Sequence, residues 1–117
     1  MKLQDIQEIL EAKSVLEANS SIQEVESCYS SDLISDVLTF NGPKALLLTG
    51  LTNAQVIRTA ELMDFIAIIF VRGKKPQAET VKLAEELELP LFATDMTMYE
   101  SCGRLYESGL PGTTRRG

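Results

Sequence analysis

The sequence contains no histidine and no tryptophan. Histidine has the side-chain pKa nearest neutrality and is the commonest metal ligand, so its absence removes the usual general base and the usual zinc ligand together. A Ser–His or Cys–His nucleophile pair cannot be assembled within one such chain. Cysteine occurs only at Cys28 and Cys102. Two thiols that far apart, without histidine, do not make a zinc site, so no metal and no cofactor are expected. They fit a reducing compartment, where free buried thiols are ordinary and a Cys28–Cys102 disulfide is not expected. No apolar run approaches the roughly 20 residues that cross a bilayer. The opening "MKLQDIQEILEAK" carries charges throughout and lacks the apolar core of a signal peptide, so a cytoplasmic location is expected. Basic residues are in the minority, 11 against 17 acidic, for a net charge of −6. That balance argues against nucleic acid and against an anionic membrane as partners. It leaves room for a local anion site, which needs only backbone amides and one or two cations.

What is present suits one α/β domain. The chain has 117 residues, 44% of them apolar, enough for a single core. Residues 1–110 are expected to form the domain and 111–117 a flexible tail. Leu3, Ile6, Ile9 and Leu10 share a helical face. "KSVLEA" reads as a short strand, Asn19-Ser20-Ser21 as a turn, and "SIQEVESCYS" as a second strand near an edge, on the partial alternation of residues 22–26. The two short strands and the first helix are expected to pack together at one side of the sheet.

From Ser30 the pattern changes. "SSDLISDVL" places Leu33, Ile34, Val37 and Leu38 on a helical stripe, with Ser30 or Ser31 as cap and Asp32 in the first turn. "ALLLTG", "FIAIIFV" and "PLFATD" are apolar runs of strands buried on both faces. Between them lie a helix capped near Thr52 or Asn53, with Val56, Ala60 and Met63 inward, and a charged helix using Val81, Ala84 and Leu87. A last helix, "MTMYESCGRLYESG", ends at Gly109 and Pro111. This alternation predicts a mainly parallel sheet, with strands near 44–49, 65–71 and 90–94 and right-handed crossovers.

Ligands of parallel sheets gather beyond the carboxyl ends of the strands. Thr49 and Thr52 follow the first buried strand, Arg72, Lys74 and Lys75 the second, Thr94 and Asp95 the third, and Ser30 and Ser31 follow the earlier short strand. One reading makes Ser30, Ser31, Thr49, Thr52, Arg72, Lys74 and Thr94 a pocket for a nucleotide or other phosphate-bearing ligand. The other makes them helix caps and a solvated loop, since the same residue types start helices. The G-x-x-x-x-G-K-[ST] phosphate loop is absent, and "TGLTNAQ" lacks a dinucleotide glycine pattern. Asp32, Asp36, Asp64 and Asp95 read as capping or solvated carboxylates. Cys28 has no base to serve it and reads as an inert thiol. Cys102 reads as core, on a face with Met98, Leu105 and Tyr106. Gly103 costs about 1 kcal/mol inside a helix, which suggests the close approach of another helix or chain. Tyr29, Tyr99, Gly103 and Tyr106 are the residues expected at a two-fold interface.

In four places the chain resembles the DRTGG domain family. An "L-x-x-I…L-x-A-x-V-L" pattern corresponds to Leu3, Ile6, Leu10, Ala12, Val15 and Leu16, with one residue more between Ala12 and Val15. "Y-A-S-D-L-L-S-D-V" is met by Tyr29-Ser30-Ser31-Asp32-Leu33-Ile34-Ser35-Asp36-Val37. "G-G-x-x-P" after "A-I-I" corresponds to Arg72-Gly73-Lys74-Lys75-Pro76 after Ala67-Ile68-Ile69, with Arg72 where the pattern has its first glycine. "T-x-x-x-T-F-E-x-x-G-R-L-Y" corresponds to Thr94 through Tyr106, with Met98 and Tyr99 where the pattern has Thr-Phe. The family's naming run falls at about Ser21 to Cys28, where Glu26-Ser27-Cys28 replace Thr-Gly-Gly. The resemblance implies a non-catalytic, dimerising regulatory module with a nucleotide-linked role. Similar domains accompany CBS modules in some pyrophosphatases, and the N-terminal half of HPr kinase/phosphorylase is similar in fold. A structural or protein-interaction domain without a small-molecule ligand is the alternative.

Overall fold

The computed structural model describes residues 1–16, 23–40 and 42–112. The expected turn at residues 19–21 and residues 113–117 of the expected tail 111–117 lie outside the described residues. The elements in chain order are α1 (Leu3–Ile9), β1 (Lys13–Leu16), β2 (Ser27–Ser30), α2 (Ile34–Val37), β3 (Ala45–Thr49), α3 (Ala54–Leu62), β4 (Ala67–Phe70), α4 (Ala78–Glu86), β5 (Leu91–Ala93) and α5 (Met98–Glu107).

The strands form one five-stranded sheet in the order β1-β5-β4-β3-β2. From β2 to β5 every neighbouring pair is parallel, and β1 closes the far edge antiparallel to β5. The predicted parallel core of three apolar runs is therefore present. β3 and β4 are buried at every position, as central strands covered on both faces must be.

The chain moves in one direction from β2 through β5. Right-handed crossovers then place α2, α3 and α4 on the same face. There Val37, Val56, Ile57, Ala60 and Ala84 pack on Leu47, Ile68, Phe70 and Leu91. The other face is covered by α1 and α5, through Leu3, Ile6, Leu10 and Leu105 against Leu46, Leu48, Ile69 and Phe92. Alternate residues of each central strand feed the two cores, which makes the fold a three-layer sandwich.

Four local expectations are corrected. The two short strands do not pack together: β1 and β2 lie at opposite edges. β1 can reach β5 because it runs antiparallel and so needs no crossover helix. β2 begins at Ser27 rather than near residue 22, because Val25 N–H bonds to Met1 C=O and Glu24 pairs with Lys2, away from the sheet. The helix after β2 is a single turn, and Leu33 and Leu38 are exposed at 59% and 47%. No side chain caps it; Ser31 Oγ instead accepts from Leu33 N–H and donates to Asp36. Among the described residues Gly103 faces open space, with no atom within 4 Å of where a Cβ would stand, so none of the described helices makes the close approach expected there.

The cap expected near Thr52 or Asn53 falls to Asn53, and α5 is capped as well. Asn53 Oδ1 accepts from Val56 N–H, and Thr97 Oγ1 accepts from Glu100 N–H. Replacing Ile69, fully buried in the central strand β4, by alanine removes core volume the rigid sheet cannot refill. We expect Ile69→Ala to lower unfolding free energy by about 2–5 kcal/mol in a urea titration.

Candidate functional site

The turns after β2, β3, β4 and β5 do meet. Arg72 N–H donates to Met96 C=O at 2.8 Å, and Gly73 N–H donates to Thr94 C=O at 2.9 Å, which ties the β4 and β5 turns together. Arg72 and Gly73 are both left-handed, at φ 61° and 68°, so the chain reverses sharply as it leaves β4. On the other side of that turn, Arg72 Nη2 donates to Asp32 Oδ2 at 3.3 Å. Gly50 N–H donates to Asp32 Oδ1 at 2.6 Å. Asp32 is thus no part of α2's first turn; its carboxylate joins three turns. The pair is half-exposed, and such ion pairs contribute only about 0.2–1 kcal/mol.

The hydroxyls expected to line a pocket divide into two groups. Thr94 is buried, and its Oγ1 donates to Leu10 C=O at 2.7 Å and accepts from Met96 N–H. Thr49 is fully buried, with Oγ1 accepting from Leu51 N–H. Ser31 is spent on Leu33 and Asp36. These three serve the backbone, because a buried hydroxyl must find a partner. Ser30, Thr52, Arg72 and Lys74 reach solvent. Of these, Ser30 lies beside α5 rather than among the strand-end turns.

A cleft of about 510 Å³ opens where the loops leaving β4 and β5 part. The β4 loop leads to α4 on one face of the sheet, and the β5 loop to α5 on the other. Adjacent loops that diverge this way leave a crevice at the carboxyl ends of their strands. Gly73, Lys75, Pro76, Ala93 and Asp95 line it, together with Glu11, Lys13 and Val15. Lys13 has no signal in the sequence. It enters because antiparallel β1 places it opposite Ala93.

A second concavity, about 820 Å³, runs between α5 and β2. Cys28, Ser30 and Cys102 line it, with Leu105, Leu110 and the aromatic pair Tyr99 and Tyr106. Those tyrosines are 90% and 75% exposed, so Tyr106 does not join Cys102 in the core. With Gly103 they form one helical stripe. Tyr29 is not on this face. Its ring lies across the sheet, 5.4 Å from Phe40 and 6.5 Å from Phe65, and its hydroxyl donates to Asp36 C=O. Alternation along β2 explains the split: Cys28 points to the α5 side and Tyr29 to the α2 side. Pro111 and Gly112 pair with Cys28 on the free edge of β2.

Both cysteines are free thiols. Burial pushes the Cys28 thiol up from 9.0 to about 12, with Cys102 adding to the shift. Among the described residues, no three of His, Cys, Asp and Glu cluster as metal ligands, and no helix is long and apolar enough to cross a membrane.

No protein-family model matches the chain, and no curated protein matches it. Among solved structures it is similar to the CBS and DRTGG domains of the regulatory region of Clostridium perfringens pyrophosphatase, complexed with the activator diadenosine tetraphosphate. The TM-score is 0.68 at 15% identity, over 94% of this chain and 47% of that one. The chain thus spans about half the length of this structural relative, and the likeness shows a DRTGG-like fold.

Three outcomes test these placements. Thr94→Val leaves the Leu10 carbonyl and Met96 amide without their partner, so unfolding free energy should fall by about 1–3 kcal/mol in denaturant. Cys28 is a neutral thiol at pH 7, so iodoacetamide should label it far more slowly than an unhindered thiol, read by mass spectrometry. The raised pKa also means that the unfolded chain gives up this proton first. The stability contribution of Cys28 should be intact below pH 9 and lost as pH rises toward about 12, a loss absent in Cys28→Val.

Proposed function

We propose that the chain is a non-catalytic regulatory module that works as a homodimer in the cytoplasm and binds a phosphate-bearing ligand of the adenine-nucleotide class. The observation that carries this is the cleft between the diverging β4 and β5 loops, with Lys13 and Lys75 on its walls. Two ammonium groups supply the charge a phosphate needs. The carboxylates of Glu11 and Asp95 line the same cleft and would accept hydrogen bonds from sugar hydroxyls or an exocyclic amine. Arg72 and Lys74 in the adjoining turn extend the basic character, with Ser30 and Thr52 farther from it. Ser31, Thr49 and Thr94 serve this site as braces of the turns rather than through direct contact. The shared fold with an activator-bound regulatory region supports the reading.

The homodimer is assigned to the α5 face. Tyr99, Gly103 and Tyr106 form a stripe beside an apolar groove, and exposed aromatics around a concavity are the usual mark of an interaction surface. Tyr29, across the sheet, is left out of that interface. The same groove favours a second reading, in which the domain is purely a protein-interaction module without a small-molecule ligand.

Calorimetry with ATP, AMP, diadenosine tetraphosphate and inorganic phosphate separates the two. We expect saturable binding that weakens with salt and falls about three- to tenfold in Lys75→Ala, in line with the loss of one charge-assisted contact. No heat with any of the four, and no chemical-shift change at Lys13, Gly73 or Lys75, would leave the interaction module alone standing. Light scattering should show a dimer that Tyr99→Ala/Tyr106→Ala converts to monomer. A wild-type monomer at high micromolar concentration removes the homodimer.

A further inference from the structure

The sharp turn after β4 has two sides. One faces the cleft of Lys13 and Lys75. The other carries the Arg72 guanidinium, and there the protein already holds an anion of its own. Asp32 Oδ1 accepts from the Gly50 amide at 2.6 Å while Oδ2 accepts from Arg72 Nη2 at 3.3 Å. One oxygen on a backbone N–H and one on a guanidinium is how proteins hold a free carboxylate or phosphate.

The seat is shaped as well as charged. A Cβ on Gly50 would run into Arg72 Nη2, and would lie 3.0 Å from Arg72 Cζ and 3.2 Å from Asp32 Oδ1. Gly50 does not use a left-handed φ, so what glycine supplies here is room for the guanidinium. Arg72 is fixed from behind by its N–H bond to Met96 C=O and its left-handed backbone. Asp32 by contrast sits in the connection between β2 and α2, outside any regular element. Its side chain is 43% exposed and that of Arg72 39%, so solvent reaches both partners.

We propose that the Gly50 amide and the Arg72 guanidinium form the seat for a terminal phosphate of the ligand, that Asp32 fills this seat in the free protein, and that the phosphate enters by displacing it. The inference rests on the ligand-binding reading above and adds where one phosphate goes and which residue competes with it. A phosphate carries more charge than a carboxylate and has a further oxygen. It can replace both bonds of Asp32 and still accept from a third donor, for which the exposed Lys74 lies two residues beyond Arg72. Asp32 loses little on release, because an exposed carboxylate exchanges its partners for water.

The test titrates the ¹⁵N-labelled full chain with tripolyphosphate and with inorganic phosphate at matched ionic strength, comparing wild type with Asp32→Ala. Removal of the competitor should tighten tripolyphosphate binding about three- to tenfold, the scale of one exposed ion pair plus one like charge removed. The Gly50 amide should show one of the largest shifts, and Arg72→Ala should abolish that shift. Gly50→Ala, which drives the guanidinium aside, should weaken binding. Equal affinity in wild type and Asp32→Ala, or an unmoved Gly50 amide, overturns the seat. If binding is then confined to shifts around Lys13 and Lys75, the proposed function survives without it. If neither protein binds either probe, both fall. A thermal melt checks each variant. Should Asp32→Ala fail to fold, the near-isosteric Asp32→Asn is read in its place, and failure of both shows the carboxylate to be a structural brace, which also overturns displacement.

Discussion

The rest of the structure depends on the burial of β3 and β4 from both sides. Neither strand has a polar face to turn to water, so each must be covered twice. The helices that follow these strands can cover only one side, because right-handed crossovers in a chain advancing one way all land on the same face. The second face must be covered by elements from the ends of the described chain, and α1 and α5 do so. α5 cannot reach that face unless the loop leaving β5 turns away from the loop leaving β4. The cleft therefore follows from the demand for a second cover. It is a consequence of core burial before it is a feature of any ligand.

The same demand explains what was legible in the sequence. The three apolar runs and the helices between them declare themselves by local pattern alone, and the parallel sheet follows from their alternation. Asn53 caps its helix as a residue of its type does. What was not legible depends on contacts distant in sequence. β1 pairs with β5, and Thr94 reaches Leu10 across 84 residues. Nothing near Lys13 announces a place beside Ala93. The hydroxyls of Thr49 and Thr94 look like ligand groups in one dimension, and the need to satisfy backbone amides claims them in three. Tyr29 reads in one dimension as an exposed aromatic in a turn, alongside Tyr99 and Tyr106 of the last helix. A strand's two-residue alternation sends it to the opposite face, against Phe40 and Phe65.

α5 shows how one helix can serve two layers. Ser101 and Leu105 are buried on its inner face, and Tyr99, Gly103 and Tyr106 stand on its outer one. Glu100 and Arg104 pair one turn apart and keep the helix soluble between the tyrosines. Glycine at 103 gives up helix propensity with no neighbour among the described residues to require it. A cost without an internal return is what a surface shaped for another molecule would show. Cys28 and Cys102 lie at the floor of the same groove, where burial keeps the Cys28 thiol protonated and the floor apolar.

The acidity of the chain bears on the strand-end turns in the opposite sense. With six more negative charges than positive, the long-range field repels an anion. Attraction must then be local, within about the 8–10 Å that salt leaves unscreened. Arg72, Lys74 and Lys75 provide that density within four consecutive residues. Left bare, such a cluster would be a seat for any passing anion. The tethered Asp32 carboxylate neutralises Arg72 and leaves the exposed Lys74 and Lys75 to water. A ligand with a single charge gains nothing by replacing it, since it offers the same two contacts and must also surrender its own freedom. On the proposed displacement, a polyphosphate would gain because it could occupy the guanidinium and reach the ammonium groups at once, and the internal carboxylate would set a threshold of charge and reach.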